Sequence, residues 1–308
     1  MSLAAPILLG ALLALALFYM ARWIALERRE AGAKQRLLPG VRYSTLASAI
    51  GFVTDFFDTL GIGAFAPTTS VFKLFKLVPD ERIPGTLNAG HALPTVVEAL
   101  IFIAVVAVDP VTLVLMIAAA VLGAWQGAGV VARLPRRAIQ VGMGLALAVA
   151  AILFVLANLK MIPGGGTELA LRGSSLAIGV AVNFLLGALM TLGVGLYAPC
   201  LILVSVLGLN PIAAFPIMMG SCAFLMPVAG LRFIAARRYD LPAAFGLALG
   251  GLPGVLIAAF IVKQLPLVWL RWLVVVVVLY AAVAMLRASR AVSSIPGAEQ
   301  PAPGMLKR

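Results

Sequence analysis

Leu60-Gly61-Ile62-Gly63-Ala64-Phe65-Ala66-Pro67 interrupts an apolar stretch long enough to lie in a membrane. Two glycines one residue apart free the backbone to leave the helix, and Pro67 can open a new one, because its missing N–H is not needed in a first turn. The pattern returns as Leu192-Gly193-Val194-Gly195-Leu196-Tyr197-Ala198-Pro199, with Gly193 lying 132 residues after Gly61. The chain reads as two copies built around this break.

Other helix breakers repeat in the same order. At the offset of 132, Pro79 matches Pro211, Pro84 matches Pro216 and Pro110 matches Pro242. At an offset of 131, Gly123 matches Gly254 and Leu134-Pro135 matches Leu265-Pro266. One such match arises easily by chance. An ordered series along a whole half points to internal duplication.

Composition sets the class. The chain has 308 residues, 63% hydrophobic and 11% charged, with a mean hydropathy of +1.12. A soluble domain carries about 25% charged residues. Several apolar runs approach ~20 residues, the length of helix that crosses a bilayer core. They are continuous rather than alternating, which excludes a β-barrel. The reading is an all-α polytopic membrane protein. Its net charge of +12 comes from basic residues in short loops beside apolar runs. That is the positive-inside pattern and not a nucleic-acid footprint. It leaves membrane lipids and small anionic solutes as partners, with homo-oligomerisation open.

Enzyme signals are missing. There is no Walker A loop, no His-Glu-x-x-His and no nucleophile elbow, and there is one histidine in the chain. Cys200 and Cys222 lie in apolar segments without disulfide or metal-ligand spacing. No metal or cofactor is expected.

The organisation follows from these marks. Residues 1–30 form a retained N-terminal transmembrane helix, with no basic residue ahead of its apolar run and no clear cleavage site. A first transmembrane repeat covers 44–158, a linker 159–173 and a second repeat 174–290. A tail rich in Pro, Gly and Ala over 291–308 is expected to be disordered. Each repeat holds a broken helical hairpin, 44–77 or 175–208, followed by three transmembrane helices. These fall near 84–108, 110–132 and 138–156, then 212–236, 242–262 and 266–288. Placing every strong basic cluster inside makes the two repeats inverted in topology and the C-terminus cytoplasmic, in a bacterial inner membrane. Whether the broken segments are re-entrant or fully span is left open.

Unwound backbone at membrane depth survives only against protein or a water cavity. Broken helices in inverted repeats recur in transporters, with the site where the breaks meet. Here Gly61, Gly63, Gly193 and Gly195 would open the gap. The amides of Thr68, Thr69 and Ser70 after Pro67, and those of Cys200 onward after Pro199, would face it. Amides, hydroxyls and a half-helix dipole together suit an anion. Asn88 and Ser221, in the helices after the breaks, complete the expected substrate contacts. Intramembrane ionisable groups are costly and tend to be functional. Asp55 and Asp58 share a helix face, and Asn88, His91, Thr95 and Glu98 follow helical spacing as one polar stripe. Asp55, Asp58, His91 and Glu98 are the proton-coupling candidates. In the plainer reading, Asp58 braces the break, Glu98 pairs with a buried donor and His91 is a satisfied core histidine. The equivalent positions in the second copy are Gly187, Met190 and Gly230 for Asp55, Asp58 and Glu98.

At the two breaks the sequence resembles the sulfite exporter TauE/SafE family of membrane permeases. The likeness rests on Gly61-Ile62-Gly63 with Pro67, Gly193-Val194-Gly195 with Pro199, and the turns Pro84 to Asn88 and Pro216 to Gly220, and covers about residues 44–290. Family members often carry further glycines where this chain has Ala64 and Phe65, and Leu196 and Tyr197. These bulkier residues are expected to narrow the gap. The resemblance implies a secondary transporter of small sulfur-containing or organic anions such as sulfite or sulfonates. A membrane assembly protein without transport and a passive anion channel are the alternatives.

Overall fold

The computed structural model describes residues 4–31, 41–61, 63–79, 82–131, 166–190 and 195–262, with isolated positions at 141–159 and 272–287. The helices expected at 138–156 and 266–288 fall largely outside the described residues, as does most of the linker. The tail 291–308 falls wholly outside them.

Among the described residues the chain is almost entirely helical, with no strand and a single isolated bridge between Glu168 and Leu209. The helices are α1 (Ala4–Ala31), α2 (Val41–Thr59), α3 (Phe65–Leu74), α4 (Ile83–Gly90), α5 (Ala92–Val105) and α6 (Pro110–Val131). After the linker come α7 (Gly173–Met190), α8 (Tyr197–Val206), α9 (Ala214–Ala235) and α10 (Leu241–Val262). Four stretches are long and apolar enough to cross a membrane: Ala5–Arg29, Gly173–Met190, Pro211–Ala235 and Leu241–Ile261. The bent pair α4–α5 makes a fifth if it is one span. Large exposed apolar side chains such as Phe18, Leu249, Leu256 and Phe260 stud these helices. A water-facing surface would hide them, whereas lipid accepts them.

The bend in α4–α5 has a local cause. Pro94 lacks the N–H that would bond Gly90 O, and its ring crowds that carbonyl one turn back. The axis turns by 41° there, leaving His91 at the corner. Tyr19 of α1 fills a gap beside the corner by donating its hydroxyl to Ala89 O at 2.9 Å. The expected single helix over 84–108 is thus two helices with a joint at the histidine.

Two helix pairs carry the largest interfaces, α2 against α10 and α6 against α7. Both close through glycine. A Cβ on Gly250 would lie 1.8 Å from Ser48 O, and one on Gly254 would lie 2.4 Å from Phe52 O. In the other pair, a Cβ on Gly123 would lie 1.8 Å from Phe184 O. These contacts are reciprocal in sequence: Phe184 follows Phe52 by 132 residues, and Gly254 follows Gly123 by 131. The first helix of each half therefore packs on the last helix described in the other. Small residues let the backbones approach, and packing contacts replace the hydrophobic effect that lipid does not supply.

Candidate functional site

The first break forms where its glycines stand. Helix α2 ends at Thr59, and Gly61 and Gly63 take φ of +91° and +88°, a region that side-chain-bearing residues avoid. Helix α3 then starts at Phe65, two residues before Pro67. In the second half α7 ends at Met190 and α8 starts at Tyr197. Gly193 lies outside the described residues. The breaks face each other. The atom nearest a Cβ on Gly63 would be Tyr197 Cβ at 3.9 Å, and nearest one on Gly195 would be Phe65 Cβ at 4.0 Å. Phe65 and Tyr197 are themselves 132 residues apart, so this contact is reciprocal too.

Between the breaks is a narrow cavity. Gly63, Phe65, Gly195 and Tyr197 line it from the two motifs, and Asp58 from the end of α2. Thr95 of α5 adds a hydroxyl, and Met190, Cys222 and Met226 make a sulfur-rich wall. Among the described residues of this lining there is no lysine or arginine.

The ionisable residues singled out in the sequence gather beside the cavity. Asp55, His91 and Glu98 are each 0% exposed, and Asp58 is 4% exposed. Asp58 accepts the Ala64 amide at 2.5 Å, capping the start of α3 across the break. His91 Nδ1 meets Asp55 Oδ1 at 2.8 Å, and its Nε2 meets the Thr68 hydroxyl at 3.1 Å. The second oxygen of Asp55 is buried without a hydrogen-bond partner. It occupies space left by Gly251, where a Cβ would come within 2.1 Å of it. Glu98 is held at both oxygens: Thr59 Oγ1 lies 2.8 Å from Oε1, and Tyr197 donates to Oε2 at 2.6 Å.

The remaining sequence candidates take other places. Gly61 turns toward Met218 and Phe215, away from Tyr197. The amides of Thr68 and Cys200 bond to Ala64 O and Leu196 O, so they lie inside their helices. Thr69 and Ser70 follow further along α3. Because α3 and α8 begin earlier than expected, the amides left without intrahelical partners are those of Phe65 and Ala66, and of Tyr197 and Ala198. Asn88 donates to Pro84 O at 2.9 Å, one turn back along its own helix. Ser221 accepts from Asn183 at 3.2 Å, in a separate polar contact that also ties Asn183 to Met116 O. Cys200 is buried and does not line the cavity.

Sequence reasoning passed over Tyr197 and Thr59. Signals for both were present. Tyr197 puts a hydroxyl where the first copy has Phe65, and Thr59 sits one helical turn after Asp55. Cys222 was read only as a small apolar residue, yet it lines the cavity and its thiol lies 3.3 Å from Met190 Sδ.

Comparison with known proteins adds one finding. A family model described as Sulfite exporter TauE/SafE matches residues 2–154 and 175–307. No match was found among curated proteins or solved structures. The matched stretches reach further than the 44–290 over which the motifs carry a likeness, taking in the leading helix and most of the tail. They also contain both glycine breaks and each ionisable residue beside the cavity. The chain belongs to the TauE/SafE sulfite exporter family, whose members are multi-pass membrane transporters and not enzymes.

Proposed function

We propose that the protein is a secondary transporter of small sulfur-containing or organic anions, such as sulfite or sulfonates, coupled to protons through alternating access. The observation that carries this reading is the cavity lined by both glycine breaks, with four buried ionisable groups beside it. As it stands the cavity has room for about one water, so a ligand of a few heavy atoms enters only when the two breaks move apart. With no cationic side chain in the lining, an anion would depend on helix-start amides, the half-helix dipole and the Thr95 hydroxyl. The Asp58 carboxylate already holds the Ala64 amide at the first break. Met190 stands at the matching position of the second, so the start of α8 is the better seat for the anion.

Inverted repeats fit the reciprocal helix pairs and the reciprocal glycine contacts, and would let one half rock against the other around a fixed site. The basic loops favour an inner-membrane protein with a cytoplasmic C-terminus.

Uptake of radiolabelled sulfite into proteoliposomes tests the reading. An imposed pH gradient should drive accumulation above equilibrium in the native protein, while Glu98→Gln should insert normally and lose the response to the gradient. Accumulation by Glu98→Gln equal to the native level would remove Glu98 from coupling. Equilibration without accumulation by the native protein would point to a passive channel instead.

A further inference from the structure

The Tyr197–Glu98 hydrogen bond is the direct polar link between the acid cluster and the second break. Tyr197 belongs to α8, Glu98 to α5, and both are buried. The matching pair in the other half is Phe65 and Gly230, one without a hydroxyl and the other without a carboxylate. The matching positions cannot form this hydrogen bond. Whatever the link does is done once per molecule.

The other side of Glu98 shows how the proton is arranged. Thr59 Oγ1 lies 2.8 Å from Asp55 O and also 2.8 Å from Glu98 Oε1. A hydroxyl has one proton and donates to one acceptor at a time. Both short contacts are satisfied together when Glu98 Oε1 carries a proton and donates it to Thr59, which donates onward to Asp55 O. Tyr197 then donates to the free Oε2. The order Tyr197, Glu98, Thr59, Asp55 leaves no oxygen facing another without a hydrogen between them.

We infer that Tyr197 is a positioning residue, a latch that holds protonated Glu98 across the two halves and closes the cavity wall; when the proton leaves, the donation to Thr59 is lost and the carboxylate holds the Tyr197 hydroxyl more tightly. This rests on the transport reading for its consequence, though not for its geometry. Tyr197 lines the cavity directly, so a movement of its ring to release Glu98 also changes the shape of the site. The groups that set the field at the latch are Asp55 and Asp58 on α2 and Cys222 on α9, with His91 at the α4–α5 corner paired to Asp55.

Full-length protein with Tyr197→Phe, Glu98→Gln and both together provides the test. Infrared difference spectra on purified protein read the carboxylic-acid C=O stretch. The band missing from Glu98→Gln is that of Glu98, and it should move to higher frequency in Tyr197→Phe because the carbonyl loses a donor. Sulfite flux in Tyr197→Phe should fall about tenfold, the worth of one hydrogen bond at its usual upper range, with a changed pH midpoint. The double variant should be no slower than Glu98→Gln. If Tyr197→Phe fails to insert, 3-fluorotyrosine at position 197 keeps the ring and strengthens the donor, and the band should move to lower frequency. An unmoved Glu98 band, no Glu98 band in the native protein at any pH, or multiplicative losses in the double variant overturn the latch. A moved band in a protein that carries no sulfite would sink the transport reading and leave the latch standing.

Discussion

At the scale of single residues, the two breaks make different demands on their glycines. Gly63 sits at φ +88°, so any side chain there is strained even though a Cβ would find Tyr197 Cβ at an easy 3.9 Å. Gly195 has no such backbone constraint, and its nearest neighbour would be Phe65 Cβ at 4.0 Å. Alanine should therefore cost stability at Gly63, by about 1–2 kcal/mol, and almost none at Gly195. Leucine at either place reaches into the cavity and should abolish flux. Thermal unfolding of the two alanine variants, paired with sulfite flux of the leucine variants, separates strain from blockage. Equal unfolding temperatures for Gly63→Ala and Gly195→Ala would show that φ at Gly63 does not matter. The glycines were plain in the sequence because nothing else suits a break inside an apolar run. The hydrogen-bond partners were not. Glu98 could be singled out as an expensive charge in an apolar helix, but its hydrogen-bond partners, Thr59 and Tyr197, lie 39 and 99 residues away along the chain. Only the folded arrangement brings them to one carboxyl.

At the scale of elements, glycine acts by closeness and not by flexibility. The α2–α10 and α6–α7 interfaces each bring a backbone carbonyl to within 1.8 Å of where a Cβ would be, at Gly250 and Gly123. No side chain can give way, since the opposing atom is backbone. Alanine at either glycine must push the helices apart and should cost about 1–3 kcal/mol, as other overpacked sites do. Valine should cost more. Thermal unfolding of Gly250→Ala and Gly123→Ala should show losses of similar size, because at each a backbone carbonyl stands 1.8 Å from the would-be Cβ. Gly10 in α1 has nothing within 4 Å of its would-be Cβ and serves as the control. A Gly250→Ala variant as stable as Gly10→Ala would contradict the close approach. Long-range pairing of this kind was only half legible. The spacing of Gly and Pro pointed to two copies, yet it could not say that the first helix of each half would pack on the last helix described in the other. The joint at His91 escaped notice for a related reason. Pro94 was visible, but residues 84–108 read as one apolar run by composition.

At the scale of the whole molecule, the leading helix is tied to the bundle at both its middle and its end. Tyr19 reaches the α4–α5 corner, and Trp23 donates to the Tyr239 hydroxyl at 3.2 Å. Near its end, Glu27 accepts from Arg237 at 2.6 Å and from Tyr239 at 2.5 Å, in the turn between α9 and α10. That turn lies outside the spans. Burial, and then the bond to the Glu27 carboxylate, raises the pKa of Tyr239 above the ordinary tyrosine value of 10.0. The sign follows. A raised folded-state pKa means that the neutral phenol is favoured by the fold. Its contribution is complete below pH 10 and declines as pH climbs from there toward the folded-state value. Ionised Tyr239 would face the Glu27 carboxylate with no proton between them, and α1 would lose its hold on the α9–α10 turn. Tyr239→Phe removes the hydroxyl, and with it this sensitivity, while keeping the ring that packs edge-on against Trp23 at 6.4 Å. Unfolding temperatures measured from about pH 8 to about pH 11, a window around the free tyrosine pKa, should fall more steeply in the native protein. The native protein should start higher and converge on Tyr239→Phe as the phenol ionises. Parallel curves over the whole window would mean that the Glu27–Tyr239 contact does not help to hold the leading helix in place.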